Sequence, residues 1–144
     1  MIGESVVRPN CSVTVMVVHN SMIGFIRREP TESFPNMLVA PGGKVEMSDG
    51  QLLDGVPYFS VEAAAVRELK EETGIDISVD DLTYFCSLTL PNGRVVISMF
   101  TELAHLPNTG KLIWMGRAGL EANKDEFAPG MQEEALFLFD RFGF

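Results

Sequence analysis

Between Arg67 and Ile75 the chain reads Arg-Glu-Leu-Lys-Glu-Glu-Thr-Gly-Ile, and no other stretch narrows the possible folds as far. At about 100° per residue, Glu68, Glu71 and Glu72 fall within roughly a 100° arc of a helix, with Arg67 beside them. Ala65, Leu69 and Thr73 mark the opposite side. One face is acidic and the other can be buried. Ser60 is placed to cap the helix N-terminus, and Gly74 closes it after Thr73. A plain solvated face, with Arg67 offering an i,i+4 pair to Glu71, is the simplest alternative. Against it stands the crowding: two carboxylates about 4 Å apart repel by ~4 kcal/mol at an effective dielectric near ~20. Without a cation, one of them takes up a proton. An oxygen-only ligand set points to Mg²⁺ or Mn²⁺ rather than zinc or copper, and Mg²⁺ is commonly shared between a few carboxylates and substrate phosphates.

Elsewhere the pattern is mostly β. Cys11–Val18 and Met22–Ile26 read as a hairpin of buried strands, followed by a polar loop from Arg27 to Asn36 and a short strand from Met37 to Ala40. Pro41-Gly42-Gly43 then reads as a loop whose glycines let backbone approach a ligand or metal. Asp49 to Phe59 reads as irregular. Leu82–Leu90 and Val95–Leu103 flank Pro91-Asn92-Gly93-Arg94, an Asn-Gly hairpin turn. Leu112–Met115 is a further short strand, and Met131–Phe142 shows helical spacing at Ala135, Leu136, Phe139 and Phe142. Strands interspersed with two amphipathic helices imply an α/β layered domain.

The segment Arg67–Ile75 resembles the second half of the Nudix hydrolase signature, Arg-Glu-aliphatic-x-Glu-Glu-x-Gly-aliphatic. The first half begins at Gly42-Gly43. In the family pattern a glutamate follows the second of those glycines after five residues, and the arginine follows seven residues later. Here the count from Gly43 reaches Asp49, the count back from Arg67 reaches Phe59, and Gly50–Phe59 reads as an insertion. Its Leu52, Leu53, Val56, Tyr58 and Phe59 are too apolar for a purely solvated loop, which suggests a lid or binding element beside the plainer readings of a packed loop or a subunit contact. Weaker similarity to the family's antimutator nucleoside triphosphatases runs through Arg27-Arg28 and through Trp114, Gly119-Leu120 and Phe127-Ala128-Pro129.

The resemblance implies a single Nudix domain over residues 1–144, with a mixed β-sheet sandwiched between α-helices. It implies Glu68, Glu71 and Glu72 as ligands of Mg²⁺ (or Mn²⁺), joined by the backbone carbonyl of Gly42. Arg67 would orient a carboxylate, Glu68 by analogy, and Gly43 and Arg28 would meet substrate. For Arg28 the alternative is a surface ion pair with Glu29 or Glu32. Glu68 is the first candidate for the base that activates water; Glu126, Glu133 and Glu134 are later candidates, each of which reads first as plain surface charge. The implied reaction is water attack on a pyrophosphate link of a nucleoside diphosphate derivative, with nucleoside triphosphates, oxidised ones included, as favoured substrates. ADP-ribose or dinucleoside polyphosphate hydrolysis, nucleotide binding without cleavage, and a purely structural role are the competing readings.

Composition removes other classes. A chain of 144 residues with 46% hydrophobic residues buries an ordinary single core. A net charge of -9 argues against binding nucleic-acid polymers. No run suits a membrane span, and Met1–Ser5 lacks a basic region leading into an apolar one. Cys11 and Cys86 sit in strand-like runs without ligand spacing, so free thiols in a reducing, cytoplasmic setting are expected. His19 and His105 read as structural or surface residues, and Trp114 as core packing. A small nucleotide is the expected partner, and a homodimer is left open.

Overall fold

The computed structural model describes residues 9–144. The reading of Met1–Ser5 lies outside the described residues. Among the described residues nine strands and three α-helices follow in the order β1 (Cys11–His19), β2 (Met22–Arg27), β3 (Leu38–Val39), β4 (Gly42–Lys44), β5 (Gly50–Leu53), β6 (Val56–Phe59), α1 (Val61–Thr73), β7 (Thr83–Thr89), β8 (Val95–Glu102), β9 (Ile113–Met115), α2 (Arg117–Ala122) and α3 (Met131–Phe142). Seven strands form one mixed sheet, ordered β3-β2-β1-β8-β7, with β4 added to β1 and β9 to β2. The β1–β8 pair is parallel and the other pairs are antiparallel. An α/β layering with a mixed sheet between helices is therefore what the chain adopts.

Strand β1 organises the core because it is apolar on both faces. Val13, Val15 and Val17 point to one side, where Ala64, Ala65 and Leu69 of α1 cover them. Met16 and Val18 point to the other, under Leu120 of α2 and Ala135, Leu138 and Phe139 of α3. The two-residue period of the strand thus sorts one run of valines and methionine into two layers. Burying a side chain such as Leu69, which is 0% exposed, is worth about 2 kcal/mol, so α1 is held chiefly by this face. Its ends are as read: Ser60 Oγ accepts from the Ala63 N–H at 3.0 Å, and Gly74 adopts φ 80°.

Several elements depart from the sequence reading. Gly42-Gly43-Lys44 is a strand rather than a loop, paired to β1 through Thr14↔Gly42. A Cβ on Gly42 would lie 2.1 Å from the Val13 carbonyl oxygen, so that glycine permits strand approach before anything else. Asp49–Phe59 is not irregular: a 3-10 turn at Met47–Asp49 leads into the two-stranded β5–β6 hairpin, with Asp54 (φ 52°) and Gly55 (φ 78°) both left-handed at its tip. Such a turn suits the right-handed twist of its flanking strands. Helix α2 has no counterpart among the elements expected from sequence. In α3 the stripe is centred on Ala135, Leu138 and Phe139, whereas Phe142 is 37% exposed. No helix among the described residues is long and apolar enough to cross a membrane.

Candidate active site

Strand β1 changes neighbours along its length. Its first half pairs with β4 at residues 12–14, its second with β2 at residues 17–19. A cavity of about 890 Å³ lies in this region, lined by Ser12 and Thr14 of β1, by Gly42 and Gly43 of β4, and by Glu71 and Glu72 of α1. Arg27, Arg28 and Lys111 supply cations to the lining, and Ile26, Val39 and Ile113 supply apolar surface. The topology therefore brings the acidic face of α1 against the Gly-Gly strand.

Arg67 is the hub on this face. Its Nε and one terminal nitrogen both donate to the Asp49 carboxylate at 2.9 Å. The other terminal nitrogen donates to Glu68 at 3.0 Å and to Glu71 at 3.3 Å, and a further bond reaches the Lys44 carbonyl at 3.1 Å. Asp49 is almost buried and also accepts from the Glu46 N–H at 2.7 Å. The Arg67 bonds, opposed by burial and aided by the Glu46 N–H, hold the Asp49 carboxyl below the usual carboxylate range. Sequence reasoning assigned Asp49 no role. Its signal was the count of residues from Gly43.

The hairpin insertion is closed off at its root. Gly50 pairs with Phe59, and the Ser60 N–H donates to the Asp49 carbonyl at 2.9 Å. Asp49 and the helix cap are thus neighbours in space although ten residues intervene. No residue of Gly50–Phe59 lines the cavity with Glu71 and Glu72; several instead border a second hollow of about 540 Å³ at the hairpin root.

The glutamates are not equivalent. Glu68 is mostly buried and sits over Gly43, where an added Cβ would come within 2.5 Å of its carboxyl. Glu72 accepts from the Gly42 N–H at 3.3 Å. Burial first, then a hydrogen bond to Glu68, push the Glu72 carboxyl well above its ordinary range; the charges of Glu68 and Glu32 add to this and the Gly42 N–H opposes it. Glu71 is exposed and turned toward Arg67. Among the described residues no three acidic, His or Cys side chains converge as a ready-made cation cage. The Glu68–Glu72 pair, with Arg67 and the Gly42 N–H as polar neighbours, offers carboxylate oxygens of the kind that Mg²⁺ or Mn²⁺ takes.

The remaining candidates scatter. Arg28 lines the cavity, but its guanidinium pairs with Glu32 at 3.3 Å and donates to the Ser33 carbonyl. Arg27 pairs with Glu126 at 3.1 Å. Neither Glu126, Glu133 nor Glu134 lines the cavity, and Glu134 is buried against Ser98. Trp114 is half-buried and packs against the α1 side of the core, edge-on to His19, whose Nδ1 lies 2.9 Å from the Leu103 carbonyl oxygen. Cys11 and Cys86 are free and partly buried.

A NUDIX domain model matches residues 9–103, more than half of the chain, from β1 through the acidic helix to the end of β8. The chain belongs to the NUDIX family. It is 45% identical over 56 residues to the m7GpppN-mRNA hydrolase NUDT17 of Danio rerio, an alignment covering 39% of this chain and 15% of that protein. A MutT/nudix family protein from Enterococcus faecalis superposes with a TM-score of 0.69 at 21% identity, over 95% of this chain and 63% of that one. A bifunctional NMN adenylyltransferase/ADP ribose pyrophosphatase from Francisella tularensis, complexed with AMP and a Mn ion, gives 0.65 at 17% identity over 96% and 44% of the two chains. The NUDIX domain of Shewanella oneidensis NrtR, complexed with ADP ribose, gives 0.64 at 12% identity over 96% and 91%. At these identities the structures speak for the NUDIX fold alone.

Proposed function

We propose that this NUDIX domain hydrolyses a phosphoanhydride link in a nucleoside diphosphate joined to a further group. Mg²⁺ is the intended cation and Mn²⁺ a substitute. Nucleoside triphosphates, oxidised ones included, are the favoured substrates, giving a nucleoside monophosphate and pyrophosphate. The observation that carries this reading is the Glu68–Glu72 carboxyl pair beside Gly42 and Gly43, with Glu71 and Glu72 lining a cavity large enough for a nucleotide.

Glu68, Glu71, Glu72 and the Gly42 carbonyl would hold the cation, which when bound neutralises charge developing on the phosphate oxygens. Glu68 would orient and deprotonate the attacking water, and Arg67 would keep its carboxylate in one direction. Arg67 suits that role because its guanidinium stays charged and its fork is already fixed by Asp49. Glu71 is exposed and bonded only to Arg67 at 3.3 Å, so it can turn toward a cation at little cost. Arg28 can exchange partners as well: its half-exposed pair with Glu32 is worth at most ~1 kcal/mol, below the ~1.5–3 kcal/mol of a hydrogen bond to a charged phosphate. Gly43 leaves room beside Glu68 that any side chain would fill.

A second reading is a larger leaving group, as in ADP-ribose, a dinucleoside polyphosphate or a capped RNA end; the match to the Danio rerio cap hydrolase and the ADP-ribose ligand of the NrtR domain favour including it. Incubating nucleotide derivatives with Mg²⁺ and identifying products by mass separates the two. Glu72→Gln is expected to lower turnover at least ~10²-fold. In the Glu68→Gln, Glu71→Gln, Glu72→Gln variant the Mg²⁺-induced rise in melting temperature should vanish. Full activity in excess chelator, or binding of every nucleotide without turnover, would reject the reading.

A further inference from the structure

Three cations line the cavity, and they differ in what they already hold. Arg27 donates to Glu126 at 3.1 Å and to the Asn36 carbonyl at 2.9 Å. Arg28 holds Glu32 and the Ser33 carbonyl. Among the described residues Lys111 has no carboxylate within the 4.0 Å of an ion pair. Of the three cations on this lining, Lys111 alone has no such partner among the described residues. Glu29 and Glu32 also line the cavity, and Glu32 is held by Arg28.

Its backbone is anchored although its side chain is exposed. Lys111 lies two residues before β9, its N–H donates to Thr109 Oγ1 at 3.3 Å, and the next residue, Leu112, is 8% exposed and packs beside Gly24. Continuing the Phe25↔Ile113 register by two residues places Lys111 opposite Arg27. Lys111 therefore belongs to a cationic side of the cavity built on β2 and the approach to β9. Glu71 and Glu72 belong to an acidic side built on α1.

A ligand matched to both sides presents phosphates that share a cation with the glutamates and a further anionic group that needs no cation. We propose that Lys111 is a specificity-determining residue that receives the third phosphate of a nucleoside 5′-triphosphate, so that the site selects triphosphates over diphosphates of the same nucleoside. This rests on the reading of the glutamate side as the phosphoanhydride site. An ammonium is fitted to such a contact because it is a compact point charge on a flexible stem, able to meet a terminal phosphate without fixed geometry.

The test compares kcat/KM for ATP with ADP, and for GTP with GDP, in Mg²⁺, for wild type, Lys111→Gln, Lys111→Arg and Lys124→Gln. Lys124 is exposed and lies outside the cavity lining. Lys111→Gln should lower the triphosphate-to-diphosphate ratio about tenfold or more, through KM for the triphosphate. Lys111→Arg should hold the ratio within about threefold of wild type, and Lys124→Gln should leave it in place. An unchanged ratio in Lys111→Gln, or an equal fall in Lys124→Gln, overturns the proposal. If wild type cleaves none of the four nucleotides, hydrolysis of unmodified nucleoside triphosphates is rejected on its own. Dissociation constants from calorimetry with Mg²⁺ then supply the same ratio and decide the role of Lys111 by the same criteria. Failure of wild type to bind any of them overturns the triphosphate reading and the role of Lys111 together.

Discussion

Asp49→Asn should cost the fold about 2–4 kcal/mol at pH 7, far more than an ordinary polar exchange. The Asp49 side chain is 4% exposed and that of Arg67 23%, so solvent screens the pair weakly. Two guanidinium bonds of 2.9 Å and the Glu46 N–H at 2.7 Å converge on one carboxylate. Hydrogen bonds to charged groups contribute ~1.5–3 kcal/mol each, and asparagine turns an NH₂ toward one of these donors, leaving two donors face to face. The upper bound comes from Arg67 itself, which keeps Glu68, Glu71 and the Lys44 carbonyl. It is not stranded, and the cost stays near or below the ~3–5 kcal/mol of breaking a buried pair outright. In a domain of this size the loss corresponds to roughly 6–15 °C in melting temperature.

Urea unfolding followed through Trp114, the single tryptophan, measures the difference directly. Its pH dependence is a second check. The folded carboxyl titrates below its ordinary value, so its contribution is fully present above the unfolded pKa of about 4 and disappears as pH falls through the folded value. Wild type and variant should therefore converge only below about pH 4. A difference under ~1 kcal/mol at pH 7, or one that persists unchanged at pH 2.5, would refute the claim that the charge of Asp49 secures Arg67.

Deleting Gly50–Phe59 should leave a folded protein whose kcat/KM ratio for two competing nucleotides stays within about threefold of wild type. Asp49 and Ser60 are hydrogen-bonded partners, ~5.5 Å apart between Cα atoms in such pairs against ~3.8 Å for bonded neighbours, and no deleted residue lines the cavity; a tenfold change in the ratio would return the hairpin to the substrate. Glu134→Gln should raise the melting temperature at pH 8 by ~3 °C or more, with the gain shrinking toward pH 4. Burial holds the Glu134 carboxyl above its ordinary range despite the bond from Ser98, so wild type loses stability as pH rises from the unfolded value through the folded one; an equal gain at both pH values would show that charge is not the cause.

The parts of this fold legible in the sequence are those whose interactions are local. Helix α1 is specified within the stretch Ser60–Gly74 by the Ser60 cap, the Ala65–Leu69–Thr73 stripe and Gly74, and Arg67 finds Glu68 and Glu71 inside one turn. The β5–β6 hairpin carries a short-range signal too, Asp54-Gly55 between apolar residues, but the broken family spacing marks the same segment as an insertion and masks the turn. Strand β4 is illegible for a different reason. Gly-Gly-Lys has poor strand propensity, and only the approach of β1, with Val13 at the place a Cβ would take, makes it a strand.

The same division runs through the candidate site. Its acidic side lies on one helix and can be read from residue spacing. Its cationic side joins Arg27 to Glu126, ninety-nine residues away, and brings Lys111 in only because β9 docks on β2. Nothing in the order Thr109-Gly110-Lys111-Leu112 announces a ligand contact. On the proposed reading the motif arranges the phosphate chemistry, while the groups proposed to choose among phosphates sit on segments whose positions the rest of the sheet decides. Substitutions in the Arg67–Glu72 turn should for that reason act on turnover across all substrates, and substitutions at Lys111 or Arg28 on the ratio between them.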